Sequence, residues 1–259
     1  MLRVKVYNMK NRLIKCIVCS LLLLAIGKTY AQNNPYVDDK LVHFGFFLGL
    51  DMLSYNIQEN DTLTQATLLQ TLDDQPNNNQ DIYHPRTSTI GAGFQVGGIV
   101  DLRLNRFLNL RFTPSLHFGE RTITYLGHIK NDTAKTSVLT IPISIPIHLK
   151  WSAERIKNYR PYVIVGGGVE FECYSDKQKQ MVLHKPFDAF VSAGFGCDFY
   201  FRWFKFCPEI KYQIGFRDAH VKIEDAQDFG WGIGASNYFY THSIKRMTHQ
   251  KLSIVFNFE

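Results

Sequence analysis

The sequence predicts an all-β fold, specifically an eight-stranded antiparallel transmembrane up-and-down β-barrel. Three observations lead there. Apolar and polar residues alternate with period two in eight separate segments after residue 31, and such alternation puts one residue set on each face of a strand. Each segment runs for roughly 9–15 residues, the length a tilted strand needs to cross a bilayer. The connections alternate between short and long, as expected when tight turns lie on one side of a membrane and large loops on the other.

The segments follow in order. In His43–Leu53 the apolar face is Phe44, Phe46, Leu48, Leu50 and Met52, against Gly45, Gly49 and Asp51. In Thr89–Arg103, Ile90, Ala92, Phe94, Val96, Val100 and Leu102 oppose Gly91, Gly93, Gln95, Gly97, Asp101 and Arg103. In Phe107–Arg121, Leu108, Leu110, Phe112, Leu116 and Phe118 oppose Asn109, Arg111, Thr113, Ser115 and His117. The fourth alternates most cleanly: Leu139, Ile141, Ile143, Ile145, Ile147 and Leu149 against Thr140, Pro142, Ser144, Pro146, His148 and Lys150. Its two prolines remove ladder donors, so a bulge or irregularity is expected there. In Arg160–Cys173, Val163, Val165, Val169 and Phe171 oppose Tyr162, Glu170 and Glu172. In the sixth, Phe187, Ala189, Val191, Ala193, Phe195, Cys197 and Phe199 oppose Asp188, Ser192, Gly194, Gly196 and Asp198. In the seventh, Phe204, Phe206, Ile210, Tyr212, Ile214 and Phe216 oppose Lys205, Glu209, Lys211 and Gln213. The last, Lys251–Glu259, sets Leu252, Ile254, Phe256 and Phe258 against Ser253, Asn257 and Glu259. Short turns are expected near Asn105, Ala153–Tyr159 and Arg202. The longest loops are expected over Gln58–Thr87 and Arg217–Thr248.

Parity alone does not say which face points inward, and a soluble eight-stranded barrel has the opposite sense. Two features favour lipid outside. The apolar face carries almost no charge, and six-deep columns of Ile, Leu and Phe would overfill so narrow an interior. Placed outward, they form the apolar band that hydrocarbon requires. The end Phe256-Asn257-Phe258-Glu259 fits an aromatic-terminated last strand of an outer-membrane protein.

The N-terminus has the three-part layout of a secretory signal. Lys10, Arg12 and Lys15 precede the apolar run Cys16 to Gly27, and small residues at Thr29 and Ala31 suit cleavage after Ala31. The apolar run is too short for a spanning helix. The expected organisation is a signal peptide over 1–31, a short periplasmic segment over 32–40 and a barrel over 41–259. Of the 29 Lys+Arg, six lie in the signal (Arg3, Lys5, Lys10, Arg12, Lys15 and Lys28), leaving 23 against 23 Asp+Glu. The net charge of +6 thus belongs to the signal and gives no argument for nucleic acid. Cys173, Cys197 and Cys207 form neither a disulfide framework nor a zinc motif.

With lipid outside, the lumen receives Asp51, Asp101, Arg103, Arg111, His117, His148, Lys150, Glu170, Glu172, Asp188, Asp198, Lys205, Glu209 and Lys211. Charges of both signs in a narrow interior must pair, so a structural ion-pair network is expected. A proton or solute path is the sharper alternative, and eight strands make one hard to open. Lipid-modifying barrels use a Ser/His/acid set, and His43, His117, His148, Ser115 and Ser144 are available. No local motif places a nucleophile beside a base. No cofactor or metal motif occurs, and no enzyme activity is expected.

Several stretches resemble the PorT family of outer-membrane barrels. They are Leu110–Arg121, Ile141–Pro146 running into Leu149-Lys150, and Asn158-Tyr159-Arg160-Pro161-Tyr162 followed by Gly166-Gly167. The opening His43–Leu50 and the closing Phe256–Glu259 look similar too. The resemblance spans the barrel and not the large loops. It implies a component of the type IX secretion system, linked to gliding motility and protease export, with no catalytic residue or cofactor carried over. Its partners would be outer-membrane lipid and other secretion-system proteins. The family also covers paralogues outside secretion, and only Asn158–Tyr162 and Arg111–Arg121 favour the secretion member. A barrel binding a ligand or adhesion partner through its loops, and a lipid-modifying enzyme, remain open.

Overall fold

A computed structural model describes residues 38, 40–61, 83–127, 133–173, 185–221 and 238–259. The expected signal peptide lies outside these residues. So does the 32–40 segment apart from Asp38 and Lys40. Eleven strands form one antiparallel sheet: β1 (Val42–Glu59), β2 (Tyr83–Thr89), β3 (Gly91–Arg103), β4 (Leu108–Phe112), β5 (Ser115–Gly127), β6 (Thr133–Thr140), β7 (Pro142–Ser152), β8 (Tyr159–Glu172), β9 (Phe187–Tyr200), β10 (Lys205–Gly215) and β11 (Ile244–Phe258). A short helix, α1 (Tyr238–His242), precedes β11. Pairs β2/β3, β4/β5 and β6/β7 each continue one wall of the sheet, so the walls number eight. Each wall pairs with its chain neighbour, and β1 closes the ring by pairing both β3 and β11.

The register gives the geometry of closure. Stepping across hydrogen-bonded partners from Phe44 leads through Val100, Phe112, Ile147, Gly167, Val191, Ile214 and Gln250, and returns to β1 at Ser54. The displacement from Phe44 to Ser54, ten residues, is the shear. For eight strands it sets a tilt of roughly 40° and a radius of about 8 Å. Such a cylinder is filled by its own side chains.

Proline explains where the walls break. Pro114 and Pro146 lie one position apart across the β4/β5–β7 seam, Pro146 opposite Thr113 and Pro114 opposite Ile145, where the ladder lapses between Phe112↔Ile147 and Ser115↔Ser144 without losing register. Pro142 cannot donate, and the preceding Ile141 amide is taken by the Glu172 carboxylate at 2.6 Å. The fourth segment is therefore interrupted at Ile141 but not bulged, since β6 and β7 keep one register against β5.

Strand faces follow the alternation. Phe44, Phe46, Leu48, Leu50 and Met52 of β1 point outward and are exposed, while His43, Phe47, Asp51 and Leu53 are buried. On the loop side the sense inverts. Tyr55, Ile123, Tyr125, Ile244 and Met247 turn inward, packing with Ala219 as an apolar cap, while Asn56, Thr122, Thr124 and Lys245 face outward. Above the hydrocarbon the wall meets water, so apolar side chains move inside. On this side five walls run beyond the sequence reading, the β2/β3 wall among them. β1 runs to Glu59, β5 to Gly127, β6 begins at Thr133 and β11 at Ile244. The two long loops are correspondingly shorter than expected. Tyr83–Thr89 is strand β2, and residues 238–248 are α1 and the start of β11.

Candidate functional site: the barrel lumen

Two ion-paired layers fill the lumen. The turn-side layer centres on Arg111, placed directly opposite Asp101 by the β3–β4 register. Arg111 donates to Asp101 through Nε (3.0 Å) and Nη2 (2.8 Å), and to Glu259 through Nη2 (2.5 Å). Its Nη1 lies 3.5 Å from Glu209. Asn109 donates to Asp101 at 2.7 Å. Lys150 donates to both Asp198 oxygens, at 2.9 and 2.8 Å, and sits 4.1 Å from the Tyr162 ring centre. The Tyr162 hydroxyl donates to Glu209 at 2.9 Å, Lys211 lies 3.4 Å from Glu209, and Lys205 pairs with Glu259. Four cations (Arg111, Lys150, Lys205, Lys211) meet four carboxylates (Asp101, Asp198, Glu209, Glu259). The layer is neutral, as burial in low dielectric demands.

The loop-side layer joins Asp51, His117, Lys251, Glu170 and Arg121. Asp51 accepts from Gln95 (2.8 Å) and Ser253 (2.6 Å) and lies 2.7 Å from His117 Nδ1. Glu170 accepts from Ser144 (2.8 Å), Gln213 (3.0 Å) and Lys251 (3.1 Å), with Arg121 at 3.9 Å. Between the layers His148 Nε2 meets Ser192 Oγ at 2.8 Å. A cavity of about 20 Å³ there is lined by Ser115, His117, His148, Ser192, Lys211 and Lys251, among others. That is room for about one water molecule.

Ser115, His117 and Asp51 have the pairwise contacts of an acyl-transfer triad. Ser115 Oγ is 3.0 Å from His117 Nε2, and Asp51 holds Nδ1. Geometry and roles define such a triad, and two things set this one apart. Lys251 Nζ lies 3.4 Å from both ring nitrogens, so a cation competes for the histidine. The neighbouring cavity has no space beside Ser115 for an acyl substrate.

The remaining expected lumen residues lie at the rims. Arg103 is half-buried on the turn side. Glu172 holds the Ile141 amide, and Asp188 accepts from the amides of Ala189 (2.8 Å) and Arg217 (3.2 Å). The Asn158–Tyr162 motif is split by the wall. Asn158 is in the turn, Tyr159 and Pro161 point outward, and Tyr162 is in the lumen. Arg160 stitches two turns together, donating to the carbonyls of Ala153 (2.8 Å) and Arg106 (2.5 Å). Asp38 closes this end, accepting from the Tyr200 hydroxyl at 2.9 and 2.7 Å. Sequence reasoning passed over Arg121, Lys251 and Glu259 as lumen charges. All three sit at the limits of alternating segments, and carrying the inward parity to those limits finds them. Among the described residues, no cluster of three or more His, Cys, Asp or Glu is arranged to hold a metal ion.

Comparison with known proteins agrees with this architecture. No curated protein matches the chain. Over residues 30–221 the chain matches the family described as "Outer membrane protein beta-barrel domain". That span includes ten of the eleven strands. A closed eight-walled ring, apolar outside and ion-paired within, belongs to the outer-membrane β-barrel family.

Proposed function

We propose that this barrel is a non-enzymatic component of protein export through the type IX secretion system, acting by contact with partner proteins. The resemblance of Leu110–Arg121 and Asn158–Tyr162 to the PorT family supports the secretion role. The observation that carries the mode of action is the filled lumen. Among the described residues, the cavity between the two ion-paired layers is about 20 Å³, which supports action at the surfaces over passage of cargo through the lumen. Deletion of the gene, with secreted and periplasmic cargo compared, tests the role. Cargo held in the periplasm and released by the restored gene supports it, whereas normal secretion rules it out. The loop side favours a second reading, a barrel that binds a ligand or adhesion partner there. Its walls extend past the inverted boundary and end in a packed apolar cap with α1.

A further inference from the structure

The outer wall is uneven around β8. Its outward residues Pro161, Val163, Val165 and Gly167 are small. Val163 stands between Trp151 of β7 and Phe195 of β9 in the hydrogen-bonded register. Large walls beside a small floor leave an apolar groove of about 600 Å³, bounded by Phe107, Trp151 and Phe195 and floored by Pro161 and Val163. That volume falls in the ~300–1,000 Å³ range of small-molecule sites.

The groove opens at the turn side, where the charge is one-sided. The three turns carry Arg106, Arg155, Lys157 and Arg202 against Glu154 as their one acidic residue. Arg106 lies at the mouth. Its guanidinium is 5.5 Å from the ring centre of Phe107, a wall of the groove, and its ion pair with Glu154 at 3.3 Å is between two exposed side chains. Such a pair exchanges readily for another anion. An aromatic collar of Phe107, Trp151, Tyr159, Phe201 and Trp203, all partly or largely exposed, marks the level of a membrane interface.

We propose that the groove binds an anionic phospholipid of the turn-side leaflet, with one acyl chain along β8 and the phosphate on Arg106. Position and charge together select this occupant. The groove lies in the lipid-facing band, and its polar end is a cation at interfacial depth. This inference does not depend on the export role.

The test uses the full-length barrel in a neutral detergent, with Trp203→Phe and Trp231→Phe leaving Trp151 as the sole tryptophan of the three. The probe is phosphatidylglycerol with brominated acyl chains, which quenches Trp151 on contact. The expected result is saturable quenching at one lipid per barrel. Brominated phosphatidylcholine should bind about fivefold more weakly, the effect of one arginine at a lipid surface, and Arg106→Gln should erase that difference. Val163→Phe fills the floor and should abolish saturation while the heat-shifted gel mobility of the folded barrel stays unchanged. Quenching that is linear in lipid, equal for both headgroups and indifferent to Val163→Phe would overturn the proposal in favour of a general lipid annulus. Protection of Trp151 that rises with protein concentration would overturn it in favour of a second copy in the groove.

Discussion

Arg111 is fully buried, with Asp101, Glu209 and Glu259 around its guanidinium. Truncating it leaves Asp101 buried with only the neutral Asn109 donating to it, while Glu259 keeps Lys205 and Glu209 keeps Lys211. Removing one partner of a buried pair costs about 3–5 kcal/mol, so Arg111→Ala should lower the urea midpoint of the folded, heat-modifiable band by a corresponding amount. An unchanged midpoint would mean the layer is not paired. The Ser115–His117–Asp51 set separates structural from chemical roles. Ser115→Ala removes one neutral hydrogen bond, about 1 kcal/mol, whereas Asp51→Ala strands the donors Gln95, Ser253 and His117 and should cost several times more. Gly97 and Gly98 test facing directly. A Cβ at Gly97 would lie 2.3 Å from the Pro114 carbonyl and 2.5 Å from the Phe47 ring, while at Gly98 the nearest atom is 4.0 Å away. Gly97→Ala should destabilise by about 1–3 kcal/mol and Gly98→Ala by less than about 0.5 kcal/mol, measured by the same urea titration. At this scale the sequence displayed which residues face inward, because parity is a local property. Their partners were hidden: Lys150 reaches Asp198 across 48 positions and Arg111 reaches Glu259 across 148, pairings that only the closed register defines.

The strands were legible wherever the wall meets lipid, since an uncharged apolar column of Ile143, Ile145, Ile147 and Leu149 has no other use. A charge in that column is expensive: Ile147→Arg should cost about 2–4 kcal/mol near the bilayer midplane, read as a lowered folding yield into vesicles. The loop-side ends were not legible, because Tyr55, Ile123 and Met247 bury inward where the column below faces outward. A reversal of sense looks, residue by residue, like the end of a strand. The cap built there carries a pH dependence. His220 is buried near α1 and β11, and burial pushes it from the usual 6.5 down to about 4, against the opposing pull of Asp218. An opened cap takes up a proton as pH falls below 6.5, while the closed cap refuses it until about 4. Closure is therefore fully favoured above that window and weakens through it. Amide exchange over residues 238–250, corrected for its intrinsic pH dependence, should be faster at the acid end.

The molecule as a whole is specified by the agreement of three independent features: eight walls, a shear of ten residues from Phe44 to Ser54, and an interior whose charges balance layer by layer. Strand number was visible in the alternation and in the spacing of turns at Asn105, Ala153 and Arg202. Shear was not, because it is the sum of eight registers and each depends on a partner strand. The lumen's closure follows from both, and it is what moves the functional reading from a conduit to a surface. All of this rests on which face meets lipid. The most direct measurement places single nitroxide labels at each position from Ile143 to Trp151 of β7, in a cysteine-free background in vesicles, and compares collision with oxygen and with a water-soluble nickel chelate. The account predicts oxygen access with period two, high at Ile143, Ile145, Ile147, Leu149 and Trp151, and access to neither reagent at Ser144, Pro146, His148 and Lys150. Nickel reaching the odd positions would place that face in water and contradict an outer-membrane barrel with an ion-paired core.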